Sequence, residues 1–145
     1  MKGSKYMDEK QHFFHIVSQT SRKFTKKFNE RVSPTGLFSA QWAVIFRINQ
    51  TGSCTQTELC QYLNVESPTM TRTLTRMETM GWIIRTEGKD RREKLISLSD
   101  TALKMIPVWQ EEVDSFEEKT LEGIKEEDLH EAFQLLQQII KNLDH

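Results

Sequence analysis

The feature that most constrains this sequence is the order of its parts between Thr55 and Ser99. A short helical stretch leads through a tight turn into a second, basic helical stretch, and two β-prone runs with a charged tip follow. Thr55 and Glu58 have the S/T-x-x-E spacing of a capping box, which opens a helix through Leu59, Cys60 and Leu63. Asn64 suits the left-handed turn after it. Ser67-Pro68 marks the next start, because serine caps free amides and proline at the first helical position gives up no needed donor. The spacing carries this helix to Gly81, with Met70, Leu74 and Met77 on one stripe and Thr69, Arg72, Thr73 and Arg76 on other faces. Residues 82–86 and 94–98 then read as the strands of a hairpin whose tip spans residues 87–93.

Helical patterns flank this unit. Phe13, Val17, Thr20, Phe24 and Phe28 recur at spacings of three and four, predicting a long amphipathic helix that stops near Ser33-Pro34. Ser39 is a natural N-cap for a largely buried helix carrying Trp42, Ile45, Phe46 and Asn49, with Gly52 as a left-handed stop. After Ser99, another cap candidate, Ile106, Trp109, Val113, Phe116, Thr120 and Ile124 form one apolar stripe. Leu129, Phe133, Leu136, Ile140 and Leu143 form a second. Pro107 is expected to kink or break the first of these helices.

The net charge of −1 is no obstacle to binding a polyanion, because the charge is unevenly spread. Residues 1–54 carry a net +6, residues 55–98 +1 and residues 99–145 −8, so a nucleic acid would be met by the first two thirds. No run approaches the roughly 18 to 20 apolar residues of a membrane span, and no apolar signal core follows Met1 to Gln11. A cytoplasmic protein with no membrane partner is expected. Cys54 and Cys60 are too few for a disulfide framework and lack a matching zinc-ligand set.

A short helix, a turn and an exposed basic helix suit the major groove of double-stranded DNA, where base edges present a distinguishable donor and acceptor pattern. Arg72 and Arg76 are the reading heads. Ser67, Thr69, Thr71 and Thr73 could reach phosphates or thymine methyls, and residue types alone do not divide these roles. The free amides between Ser67 and Met70 favour a phosphate. Lys89, Asp90, Arg91 and Arg92 lie in the hairpin tip, where Arg91 and Arg92 suit a narrow minor groove and Asp90 can brace one of them. A charged cluster of this kind is usually a solvated turn; its position after a helix-turn-helix gives it the second meaning.

Ser67-Pro68-Thr69-Met70-Thr71-Arg72, Gly81-Trp82-Ile83 and the run from Asp90 to Ser99 together resemble the MarR signature, and the likeness extends over nearly the whole chain. Ser39-Ala40-Gln41-Trp42 is similar to the start of that family's second helix. The resemblance implies a mainly α fold with a small β-hairpin wing, in which residues 37–99 form a winged helix-turn-helix lobe. Residues 1–33 and 100–145 are then the dimerisation helices of one domain, 1–145. It also implies that Asp90 and Arg92 position the wing tip at the minor groove. Glu87-Gly88 stands where Asp-Pro is usual, which is expected to loosen the tip; Ser99 replaces a threonine and Ala102 a glycine.

In similar proteins a pocket beside the dimer helices takes small aromatic or amphipathic ligands. Phe13, Phe14, Phe38, Trp42 and Phe46 could line such a pocket, although aromatics of this kind are more often core. His12 and His15, spaced i, i+3, read as structural because no third or fourth ligand stands nearby, so no metal or other cofactor is expected. Cys60, beside Leu59 and Leu63, reads as a small core residue rather than half of a redox switch.

No nucleophile with its base, no acid–base pair and no phosphate-cradling glycine loop is present, so an enzyme is not expected. The expectation is a homodimeric regulator on an inverted-repeat operator, acting as a repressor of its own or neighbouring genes and relieved by a ligand. The alternative is a helical protein-interaction module without specific DNA binding, which would have no use for Arg72, Arg76, Arg91 and Arg92.

Overall fold

The computed structural model describes residues 2–89 and 93–144 and contains two compact units, one up to Val113 and one from Asp114. The first holds α1 (Lys2–Val32), a 3-10 turn (Ser33–Thr35), α2 (Ser39–Thr51), β1 (Cys54–Thr55), α3 (Gln56–Leu63), α4 (Ser67–Thr79), β2 (Ile83–Glu87) and β3 (Lys94–Leu98). It also holds most of α5 (Asp100–Thr120), whose last turns lead into α6 (Glu126–Leu143) in the second unit. The expected hairpin forms, with Ile83 opposite Leu98 and Glu87 opposite Lys94. A third strand, β1, adds to its other side and places Cys54 opposite Ile96, giving the antiparallel order β1-β3-β2. Two residues are too few to show a period, so no pattern in the sequence announced it.

Leu59 from α3, Met70, Leu74 and Met77 from α4, and Val44, Ile45 and Ile48 from α2 are buried with Ile83 and Ile96 of the sheet. Phe28 and Val32 of α1 and Ala102, Trp109 and Val113 of α5 are also buried, and Trp109 packs edge-on against Trp82 with ring centroids 4.8 Å apart. The stripe expected on α4 is thus the buried one. On α2 the inward face is Gln41, Val44, Ile45 and Ile48, whereas Phe46 is exposed and Trp42 half-buried, so this helix is less enclosed than its apolar content suggests. Likewise only Phe28 of the aromatic series on α1 is buried; Phe13 and Phe24 are exposed.

The chain stops and starts mostly where its side chains dictate. Thr55 is the N-cap of α3, its hydroxyl accepting from the Glu58 amide at 3.2 Å. Asn64 closes that helix at φ 55°, ψ 48°, in the left-handed basin. At the end of α4, Gly81 takes φ 79°, and the Trp82 and Gly81 amides donate to the Met77 and Glu78 carbonyls at 2.9 and 3.0 Å, a Schellman closure. Gly52 ends α2 at φ 80°, ψ −158°, outside the left-handed helical basin that was expected of it.

Two expected caps are displaced by one residue. Ser39 is the first residue of α2, not its N-cap; Phe38 holds that position. The cap is supplied from elsewhere: Asn29 Oδ1 on α1 accepts from the Ser39 amide at 2.7 Å, and Gln41 Oε1 accepts from the Phe38 amide at 3.1 Å. Ser67 is likewise the first residue of α4 and Pro68 the second, because Glu66 is the extended N-cap residue. A third expectation, a kink or a break at Pro107, is narrowed. The helix after Ser99, α5, starts at Asp100 and runs through Pro107 without a break, the missing amide costing one internal hydrogen bond.

Cys54 is buried and Cys60 only half-buried, the reverse of the role given to Cys60. Burial, reinforced by the nearby Glu58 carboxylate and opposed by Arg47, pushes the Cys54 thiol above its ordinary value. Among the described residues, no helix is long and apolar enough to cross a membrane, and no cluster of three or more His, Cys, Asp or Glu is placed to hold a metal ion.

Candidate nucleic-acid interface

α4 is built to present one face. With Met70, Leu74 and Met77 buried at spacings of four and three, the helix has no rotational freedom, and Ser67, Thr69, Thr71, Arg72 and Arg76 are left exposed. Thr73 is half-buried beside them. Arg72 Nη2 donates to Thr69 Oγ1 at 3.2 Å, so this arginine lies along the first turn. Arg76 takes a different partner: its guanidinium carbon stands 5.6 Å from the centre of the Phe38 ring.

The hydroxyls of the face are already partly committed. Thr71 Oγ1 donates to the Ser67 carbonyl at 3.0 Å and Thr73 Oγ1 to the Thr69 carbonyl at 3.1 Å. A hydroxyl whose proton is bonded back into the helix cannot also donate to a phosphate oxygen, so in this conformation both threonines offer lone pairs and methyl groups. The Met70 amide is bonded to the Glu66 carbonyl at 3.0 Å. The anion-attracting amides at the helix start are therefore those of Ser67 and Thr69, since Pro68 has none.

Gln56, the first residue of α3, was not singled out in the sequence. Its Nε2 donates to Thr71 Oγ1 at 2.8 Å and lies 3.3 Å from the Ser67 carbonyl oxygen and 3.4 Å from Ser67 Oγ. The only sequence signal was its place one residue after a cap, which says nothing of a partner fifteen residues away. Arg47 of α2, with its guanidinium 3.7 Å from the Tyr62 ring centre, fastens α3 from the other side.

The wing stands on a closed base. The Gly88 amide donates to the Glu93 carbonyl at 3.0 Å, and a Cβ at position 88 would meet that same oxygen at 2.9 Å. At this base glycine supplies a donor that proline lacks and fits where a side chain would clash, whereas the loosening expected of Glu87-Gly88 concerns the tip, whose residues 90–92 are not among those described. Lys89 is exposed on the described side of the tip. Asp90, Arg91 and Arg92 lie outside the described residues. Behind the wing, Arg85 Nε pairs with Glu78 Oε2 at 3.1 Å, tying β2 to the last turn of α4.

The five aromatic residues considered for a ligand pocket fall into separate groups. Phe13 meets Phe14 edge-on at 5.2 Å on α1, and Trp42 meets Phe46 at 6.1 Å on α2. Phe38 alone of the five borders a hollow of about 260 Å³ that Gln41, Arg72, Thr73 and Arg76 also line. On α1, the His12 ring nitrogen Nδ1 bonds the Asp8 carbonyl at 2.8 Å.

Comparison with known proteins places this architecture. Residues 37–94 match the MarR family. The chain is 43% identical over 122 residues to YwoH, an HTH-type transcriptional regulator of Bacillus subtilis (strain 168), covering 84% of this chain and 88% of that protein. It is 34% identical to the transcriptional regulator PA3341, whose crystal structure superposes with a TM-score of 0.81 over 91% of this chain and 98% of the other. A mutant MarR from E. coli, complexed with operator DNA, has the same fold at 22% identity, with a TM-score of 0.80 over 86% of this chain and 91% of its own.

Proposed function

This chain belongs to the MarR family of transcriptional regulators, and we propose that it binds an inverted-repeat operator in double-stranded DNA as a homodimer. The observation that carries this reading is the outward face of α4, where Arg72 and Arg76 stand with Ser67, Thr69 and Thr71 over a buried apolar stripe. Arginine at the start or middle of such a helix can form paired hydrogen bonds to guanine in the major groove. The E. coli MarR mutant described above was captured on operator DNA, which supports the same use of the fold.

In this reading residues 37–99 are the DNA-binding lobe, and residues 1–33 and 100–145 join two copies. Support for the pairing comes from α6, where Leu129, Phe133, Leu136 and Ile140 leave an apolar face exposed in the single chain. A two-fold dimer carries its reading helices to successive major grooves about 34 to 36 Å apart, so the operator is an inverted repeat. Lys89 with Asp90, Arg91 and Arg92 reaches the flanking minor groove. Binding over a promoter obstructs polymerase, so the protein acts in the cytoplasm as a repressor with no catalytic role of its own. A small aromatic or amphipathic ligand beside Phe13, Phe14, Phe38, Trp42 and Phe46 relieves repression by favouring a spacing of the two lobes that no longer matches the half-sites.

The test is selection of genomic fragments by the purified protein, then anisotropy titration of the best fragment against a scrambled duplex at two salt concentrations. An inverted repeat bound far more tightly than the scramble, with a steep loss at higher salt, is the expected result. Equal, weak binding to both duplexes rejects a specific regulator in favour of an interaction module.

A further inference from the structure

We propose that Gln56 is a positioning residue for sequence reading: it locks Thr71 and Ser67 of the reading helix so that Thr71 presents its methyl group to a base. The inference rests on α4 entering the major groove, as proposed above. Gln56 begins α3 and Thr71 lies in the second turn of α4, so their contact joins the two helices of the helix-turn-helix directly.

The bonding identifies which end of the amide faces α4. The Ser67 carbonyl oxygen can only accept, so the group 3.3 Å from it must be the NH2 of Gln56. That NH2 then donates to Thr71 Oγ1 at 2.8 Å. The same hydroxyl sends its own proton to the Ser67 carbonyl at 3.0 Å. With one bond accepted and one donated inside the protein, the Thr71 χ1 rotamer is held at two points. With its proton committed, Thr71 has no donor left for the groove; beside one remaining lone pair it offers its methyl, a contact suited to the thymine methyl. Without the Gln56 donor, the hydroxyl keeps only its bond to the Ser67 carbonyl, and a threonine held at that single point can leave it more readily, turning a donor toward any phosphate or several base edges alike.

Two neighbouring features favour positioning over a direct phosphate contact by Gln56. Its side chain is only half exposed, and its donor atom already has three oxygens within 3.4 Å. α3 is held independently by Arg47 against Tyr62 and by the Thr55 cap, so loss of the Gln56 amide leaves the helix in place.

The experiment is a double-mutant cycle with Gln56→Met, which keeps length and removes the donors, and Thr71→Val, which keeps the branched shape and removes the hydroxyl. Unfolding curves that coincide for all four proteins establish the fold. Each protein is titrated against the selected operator and against duplexes substituted at every position of one half-site. The expected result for Gln56→Met is a loss of about three- to tenfold on the selected operator, the size of one net hydrogen bond. The discrimination at one position should flatten, while the salt dependence is unchanged. In the Thr71→Val background the Gln56 substitution should have little further effect. An equal loss on every duplex, or effects that simply multiply in the double variant, overturns the proposal in favour of a separate contact. An unchanged Gln56→Met profile also overturns it. If the unsubstituted protein itself shows no preferred duplex, the DNA reading fails first and takes this one with it, a result distinct from the other three.

Discussion

Ser99 Oγ donates to the Gly81 carbonyl oxygen across 2.6 Å, and Ser99 Oγ itself accepts from the Ala102 amide at 3.1 Å. One hydroxyl therefore closes the end of the reading helix and caps the start of α5. The Ser99 amide adds a third tie, to the Trp82 carbonyl at 2.9 Å. Replacing Ser99 with alanine removes a cap and leaves the Gly81 carbonyl without its side-chain partner. A loss of about 1 to 2 kcal/mol in urea unfolding is expected, with Ser99→Thr near the parent. An alanine variant as stable as the parent would show that the cap is redundant.

Arg76 over Phe38 links a reading head to an aromatic residue from a different helix start. Phe38→Leu keeps apolar bulk and removes the ring face, worth about 0.5 to 1 kcal/mol to an exposed guanidinium. Operator affinity should fall by a factor of about two to five. Arg76→Ala in the Phe38→Leu background should cost less than in the parent; independent effects would detach the two residues.

Gly88 meets the wing base so closely that a methyl group contacts the Glu93 carbonyl oxygen. Gly88→Ala must shift the backbone on one side of the tip, at a local cost of about 1 to 3 kcal/mol. Because the tip is the proposed minor-groove element, operator affinity should drop more than thermal stability does. Equal affinity in the alanine variant would remove wing geometry from the binding account.

The two thiols should react in a fixed order. Cys54 is buried with its pKa raised chiefly by that burial, and Cys60 is more open, so alkylation of the folded protein followed by peptide mass analysis should find Cys60 modified first. The raised value also has a stability consequence. Below the ordinary thiol pKa both folded and unfolded Cys54 are protonated and its contribution is complete. As pH rises past that value the unfolded thiol ionises first, so stability declines until the folded thiol follows. Cys54→Ala should show a shallower alkaline decline in denaturant unfolding, and identical slopes would refute the assignment.

Phe133 and Ile140 lie on the exposed apolar face of α6. If that face joins two copies, Phe133→Glu with Ile140→Glu buries charge in an apolar contact, and sedimentation should show the mass of one chain where the parent shows two. Operator affinity should fall with it, since a single half-site remains. A dimeric double variant would place the interface elsewhere.

Much of the fold is legible in the chain because its signals are local. The Thr55 cap, the left-handed Asn64, the buried stripe of Met70, Leu74 and Met77 and the two wing strands each rest on residues a few positions apart. Spacing and side-chain chemistry suffice for these. The misplaced caps at Ser39 and Ser67 have a different origin: their amides or hydroxyls are partnered by Asn29 and Gln56, distant in sequence. Of the kink or break that Pro107 suggests in the chain, the break does not occur.

The sequence by itself determined the class of the protein, through the order of helix, turn, basic helix and hairpin, and it marked Arg72 and Arg76 as the residues to watch. Only the tertiary structure decided how those residues are held: Arg76 on Phe38, Thr71 under Gln56, Ser99 on Gly81 and Gly88 against Glu93. Periodicity records which face of an element avoids water. A hydrogen bond or ring contact between elements depends on their mutual placement to within a few tenths of an ångström, which the packing of the whole unit sets and no local pattern encodes.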